Sequence, residues 1–234
     1  MRLEAVIFDL GNTLVRYYSH DEWPGVLAEC LGNVADYLRD HGLLTVDSEE
    51  LPARAEAERG QSPDHAVRPL DGRLIRIFEL GNTRLNAEAM PEMARRFLAP
   101  IFARSKRYDD ALPTLDELHA RGFRTGILSN TPWGTPAIPW REEVNRHGLL
   151  TAVDAVAFCV ECGYRKPAPQ PFRHIAAKLG VAPEACFFVG DDPRWDPVGA
   201  RGAGMHAILI DRTGAVQAAK EPLIHELSEL FKYL

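Results

Sequence analysis

From Tyr108 onward the chain alternates short apolar runs with amphipathic stretches, and this pattern constrains its fold most tightly. "ALPTLDELHARG" reads as an amphipathic helix ending at Gly122, and "FRTGILSN" as a strand. "VDAVAFCV" reads as a second strand, "PAPQPFRHIAAKLG" as a helix capped by Gly180, and "ACFFVGD" as a third strand. "PVGARGAG" is a short helix and "HAILID" a final strand. Apolar runs without strict alternation suit strands buried on both faces. Strands separated by helices imply right-handed βαβ crossovers and a parallel sheet. "EAVIFDL", a few residues from the N-terminus, supplies one more strand of this kind.

Between that first strand and Tyr108 the pattern is helical. "GVLAECLGNVADYLRDHGLL" places Val26, Cys30, Leu31, Val34 and Leu38 mostly on one face. "SEELPARAEAER", "GRLIRIFEL" and "PEMARRFLAPIFARS" also read as helices, with Gly and Pro at the joins and no convincing strand among them. The expected architecture is α/β: a Rossmann-like parallel sheet flanked by helices, formed by residues 1–15 and 107–234, with an all-helical insertion at 16–106. A chain of 234 residues, 46% of them hydrophobic, is long enough for a large core with a smaller attached domain.

The formal charge of -6 argues against a nucleic-acid partner, which calls for a basic face. No stretch approaches the roughly 20 apolar residues of a membrane-spanning helix, and the N-terminal apolar run is short and interrupted by Asp9, unlike a secretory signal. The expectation is a cytoplasmic protein with no membrane partner. Of Cys30, Cys159, Cys162 and Cys186, two form a CxxC with no second pair to answer it, so packed thiols are expected.

In open parallel sheets, ligands bind beyond the carboxyl ends of the strands. Polar residues gather there. The first strand ends at Asp9, the next at Ser129-Asn130, and a later one at Gly190-Asp191-Asp192, with Asp196 one turn on. "GYRKPAPQPF" sets Lys166 at the start of a Pro-rich helix. A phosphate monoester dianion repels a carboxylate nucleophile, so such a site must neutralise the phosphoryl group first. Mg²⁺ favours carboxylate and phosphate oxygens, and Asp9 and Asp191 are suited to hold it. Lys166 adds positive charge, and Ser129 and the loop N–H groups at Leu10 and Gly11 add hydrogen bonds.

These segments resemble the haloacid dehalogenase-like (HAD) superfamily of hydrolases. "VIFDLGNTL", "GILSNT", "GYRKPAPQPF" and "FFVGDDPRWDPVGARGAGM" look like its four motifs in order. The resemblance implies that Asp9 is the nucleophile and Lys166 its catalytic lysine. It implies phosphate binding by Ser129, Asn130 and Lys166, and magnesium on Asp9, Asp191 and the Gly11 backbone carbonyl. Asp192 and Asp196 would be supporting acids, and the helical insertion a cap domain. The implied reaction removes phosphate from a small phosphorylated metabolite through an aspartyl-phosphate.

One position departs from the family pattern. An Asp two residues after the nucleophile normally protonates the leaving oxygen, and Gly11 stands there. A 2-haloacid dehalogenase, whose halide leaves without a proton, is one alternative; it needs no metal, whereas "GDDPRWD" keeps its carboxylates. A non-catalytic phosphate-binding or interaction module is another. Tyr17, Tyr18 and His20 follow the first motif closely and are the cap-side candidates. Arg54, Arg59, Arg68, Arg73 and Arg76 fit a solvated outer face. Trp133 and Trp140 are candidates for the pocket wall, for core packing or for a homodimer contact.

Overall fold

The first apolar run forms β1 (Ala5–Phe8), and all four of its side chains are buried because both faces of the sheet are covered. Val6 and Phe8 join one core; Ala5 and Ile7 join the other. The computed structural model describes residues 2–216 and 221–234. After β1 come β2 (Val15–Arg16), then helices α1 (Trp23–Asp40), α2 (Leu51–Glu58), α3 (Leu70–Ile77) and α4 (Ala89–Ala103), then β3 (Lys106–Arg107). The remainder alternates: α5 (Ala111–Ala120), β4 (Arg124–Ser129), α6 (Ala137–Arg146), β5 (Ala155–Phe158), α7 (Cys159–Cys162), α8 (Pro169–Leu179), β6 (Cys186–Gly190), α9 (Asp196–Ala203), β7 (His206–Ile210) and β8 (Leu223–Ile224).

Six strands form one sheet in the order β5-β4-β1-β6-β7-β8, and every pairing is parallel. The α/β sheet flanked by helices is therefore as the alternating pattern requires. β1 lies between β4 and β6, with Phe8 level with Ile127 and Val189. The three strand ends that carry Asp9, Ser129 and Asp191 thus emerge side by side.

Three details differ from the sequence reading. "VDAVAFCV" is a strand only to Phe158, because the Glu161 carboxylate accepts the Phe158 N–H at 2.7 Å and turns the chain into α7. The His206–Ile210 strand is not the last, since β8 pairs beyond it. The inserted region is also not purely helical at its ends: β2 and β3 form an antiparallel ribbon, Val15 opposite Arg107 and Arg16 opposite Lys106. Two-residue strands carry no readable periodicity.

The helical insertion meets the loop between α7 and α8 closely. Ala66 pairs as a β-bridge with Tyr164, Val67 N donates to Gly163 O at 2.8 Å, and Arg165 N donates to His65 O at 2.8 Å. Gly134, at φ +69, sits where an added Cβ would overlap the Arg68 carbonyl. Glycine is what lets the loop after β4 press against the insertion.

Candidate active site

Asp9 continues the sheet by one bond beyond β1, its N–H donating to Val189 O at 2.8 Å. That bond fixes where its carboxylate points. Lys166 Nζ lies 2.6 Å from Asp9 Oδ1 and 2.7 Å from Asp196 Oδ1. All three residues are buried. Asp196 opens α9, and it approaches because residue 190 is glycine; any Cβ there would collide with the Asp196 carboxylate. Its other oxygen accepts the Asp192 N–H at 3.1 Å. Asp9, Asp191 and Asp196 each offer a carboxylate oxygen within 4.8 Å of the others. Ser129 is buried beside them, its Oγ donating to Asn130 O at 3.3 Å.

The profile of the haloacid dehalogenase-like hydrolases matches residues 3–204. The chain belongs to that family. A glyceraldehyde 3-phosphate phosphatase from Methanopyrus kandleri is 30% identical over 90% of this chain and 84% of its own. The matched stretch covers 65%, 84% and 50% of three curated relatives' own lengths. Among solved structures, a HAD phosphatase from Thermococcus onnurineus superposes with a TM-score of 0.68 at 26% identity, covering 99% of this chain and 97% of that one. A 2-haloacid dehalogenase from Pseudomonas syringae reaches the same TM-score of 0.68 at 24% identity, covering 98% of this chain and 97% of that one, which speaks to the fold alone.

The electrostatics of this HAD-like hydrolase are dominated by burial. The Asp9 pKa is raised to about 6: burial pushes it up most, Lys166 pulls it down and Asp196 pushes it up. Asp191 is held well above the carboxylate range by burial and then by Asp9 and Asp196. Burial works against the Lys166 ammonium, but Asp196 and Asp9 outweigh it and its pKa is raised. Two neighbouring carboxylates, both raised chiefly by burial, form a donor set that a hard divalent cation would relieve. Among the described residues, no group donates a hydrogen bond to the Asp191 carboxylate or to the Gly11 carbonyl. The residues present therefore suit Mg²⁺ on Asp9, Asp191 and the Gly11 carbonyl.

Two expected site residues are engaged differently. The Asn130 side chain is not free to hold phosphate: Oδ1 accepts the Lys166 N–H at 2.9 Å and Nδ2 donates to Lys166 O at 3.2 Å. The Asp192 carboxylate points away from the acidic cluster onto Arg194, at 3.0 Å from Nε and 2.6 Å from Nη2.

The cavity above these groups is about 290 Å³, and Tyr17, Tyr18 and His20 line it from the insertion side and Trp140 from α6. Trp140 is fixed by its indole N–H, which donates to Thr135 Oγ1 at 2.8 Å, and by an edge contact with Tyr17. Trp133 packs instead between Phe97 and the Arg73 guanidinium, anchoring the loop to the insertion. The insertion's arginines are occupied internally: Arg54 with Glu50 and Glu79, Arg59 with Glu56, and Arg68 and Arg76 with Glu58. Buried Arg73 donates to backbone carbonyls. Sequence reasoning missed Arg194 and Trp195, which line the same cavity. Their signal was an Arg-Trp pair inside the acidic loop "GDDPRWD".

Proposed function

We propose that this hydrolase is a magnesium-dependent phosphatase acting on a small phosphorylated metabolite, with Asp9 as nucleophile. The observation that carries this reading is the placement of Lys166 between Asp9 and Asp196, with Asp191 facing Asp9. With Lys166 already shared between Asp9 and Asp196, Asp191 beside them calls for a further cation, which a dehalogenase does not use. The relatives' phosphatase names point the same way.

Asp9 attacks phosphorus through one carboxylate oxygen. The ester P–O bond breaks, and its electron pair leaves on the substrate oxygen. Water then attacks phosphorus, releases phosphate and restores the Asp9 carboxylate. Bound Mg²⁺ would supply charge neutralisation for the phosphoryl oxygens, held by Asp9, Asp191 and the Gly11 carbonyl. Lys166 keeps its proton throughout and offsets the charge on Asp9 and the transferring group. Asp196 holds the lysine in place, and Ser129, which lines the cavity, turns its hydroxyl from Asn130 O to the phosphoryl group. Residues 16–106 serve as a cap, closing the cavity with Tyr17, Tyr18 and His20 and limiting water. Gly11 cannot protonate the leaving oxygen, so substrates with good leaving groups should turn over best.

The test is hydrolysis of p-nitrophenyl phosphate with Mg²⁺ and with chelator, for the native chain and Asp9→Asn. Mg²⁺-dependent release that Asp9→Asn abolishes supports the reading. Turnover of 2-chloropropionate in chelator, with none of the phosphate ester, would replace it with dehalogenation.

A further inference from the structure

A second chamber of about 400 Å³ adjoins the catalytic cavity. The two share Lys166, Arg194 and Trp195 as lining, and the second adds Gln61, His65 and Arg165. Among the described residues, no aspartate or glutamate lines it. Its outer wall is the segment of the insertion that bridges to Tyr164 just before the catalytic lysine.

Arg165 is the unusual group here. It is only 8% exposed. One Nη donates to Thr131 O at 2.9 Å, and the guanidinium lies 5.3 Å from the centre of the Trp195 ring. Its Nε, itself buried, has no hydrogen-bond partner among the described residues. Among the described residues, no carboxylate pairs with it. The buried Arg73 differs, since carbonyls of Glu58, Arg68 and Gly60 accept from all three of its nitrogens. Burying a charge is costly unless it is paired, and this guanidinium, without a carboxylate among the described residues, lines a cavity that holds no acid. The neighbouring cations are already paired. Lys166 is held by Asp9 and Asp196, and Arg194 by Asp192.

We propose that Arg165 reads a second anionic group, a carboxylate or a further phosphate, on the part of the substrate that leaves. The inference rests on the phosphatase reading and narrows its substrate class. The planar fork of a guanidinium matches such an anion, and Trp195 beneath it fixes its plane. The two cavities share Lys166, Arg194 and Trp195, so one substrate can reach both the phosphoryl site and Arg165.

Calorimetry on the Mg²⁺-loaded protein tests this with three non-hydrolysable phosphonates of equal length. One ends in a carboxylate, one in a second phosphonate and one in a neutral hydroxyl. The native chain should bind one charged compound at least about tenfold more tightly than the neutral one, and whichever it prefers identifies the anion. Arg165→Gln should erase that preference and Arg165→Lys should restore part of it. A purely structural role for Arg165 would weaken all three alike. Equal binding of the three by the native chain, or a preference that survives Arg165→Gln, overturns the proposal. Hydrolysis of p-nitrophenyl phosphate, measured in parallel, reports separately on the phosphatase reading: its absence with the preference intact would defeat that reading and leave the anion site standing.

Discussion

Asn130 grips Lys166 by both of its backbone groups, accepting from its N–H at 2.9 Å and donating to its carbonyl at 3.2 Å. The two residues are 36 positions apart, so this single side chain ties the end of β4 to the loop that carries the lysine. Asn130→Ala would leave a buried N–H and carbonyl without partners. The expected cost is about 1–3 kcal/mol of stability. Turnover should fall about tenfold or more as Lys166 loses its alignment. Thermal melts and steady-state kinetics on p-nitrophenyl phosphate check both. A variant with native kinetics would show that Asn130 does not position the lysine.

The acidic cluster predicts a pH-dependent response to Mg²⁺. The Asp9 pKa is about 6 in the folded protein, against about 3.9 in an unfolded chain. Between those values the folded state binds more protons, so this group lowers metal-free stability as pH rises across that window. Metal binding requires the carboxylates ionised. The gain in melting temperature on adding Mg²⁺ should therefore be small near pH 5 and grow towards pH 7. Melting curves with and without Mg²⁺ across that range decide the matter, and a pH-independent gain would argue against ligation by Asp9.

Position 11 has room for the side chain it lacks. A Cβ there meets nothing nearer than the Tyr17 ring at 3.9 Å. Gly11→Asp should raise kcat on alkyl phosphates by about tenfold or more, within reach of what general acid catalysis contributes. It should change p-nitrophenyl phosphate turnover far less, since that leaving group needs little protonation. Equal effects on both substrates would mean that protonation does not limit the enzyme.

Away from the site, Asp211 organises the turn after β7. Oδ1 accepts from Thr213 N, Thr213 Oγ1 and Gly214 N, and Oδ2 accepts from Val216 N at 2.7 Å. These bonds outweigh the opposing effect of burial and depress its pKa to about 2. A depressed carboxyl stabilises the fold fully above its unfolded value of about 3.9, and that contribution is lost as pH falls through about 2. Asp211→Asn should cost about 1–3 kcal/mol near neutral pH. The difference from the native chain should shrink in acid, as chemical denaturation at pH 7 and pH 3 would reveal.

The sheet was legible because its strands are buried on both faces, and Ala5–Phe8 and Cys186–Gly190 therefore read as continuous apolar runs. The order of polar residues at strand ends made Asp9, Ser129, Lys166, Asp191 and Asp196 stand out, and the fold brings them to one cavity. The β2/β3 ribbon and β8 were invisible because two residues carry no period. Asn130 looked like a phosphate ligand because sequence does not reveal a bond reaching 36 positions along the chain. Arg165 passed unnoticed for the opposite reason: next to Lys166 it reads as one more surface cation, and only its burial without a carboxylate marks it out.

The central claim is that Asp9 itself takes the phosphoryl group. Rapid acid quench of the Mg²⁺-loaded enzyme during turnover, followed by mass spectrometry of its peptides, measures this directly. The expected result is one added phosphoryl group on the peptide spanning Asp9, labile to base and absent from Asp9→Asn. Phosphate release that proceeds undiminished in Asp9→Asn, or a phosphoryl group trapped on a different residue, would contradict it.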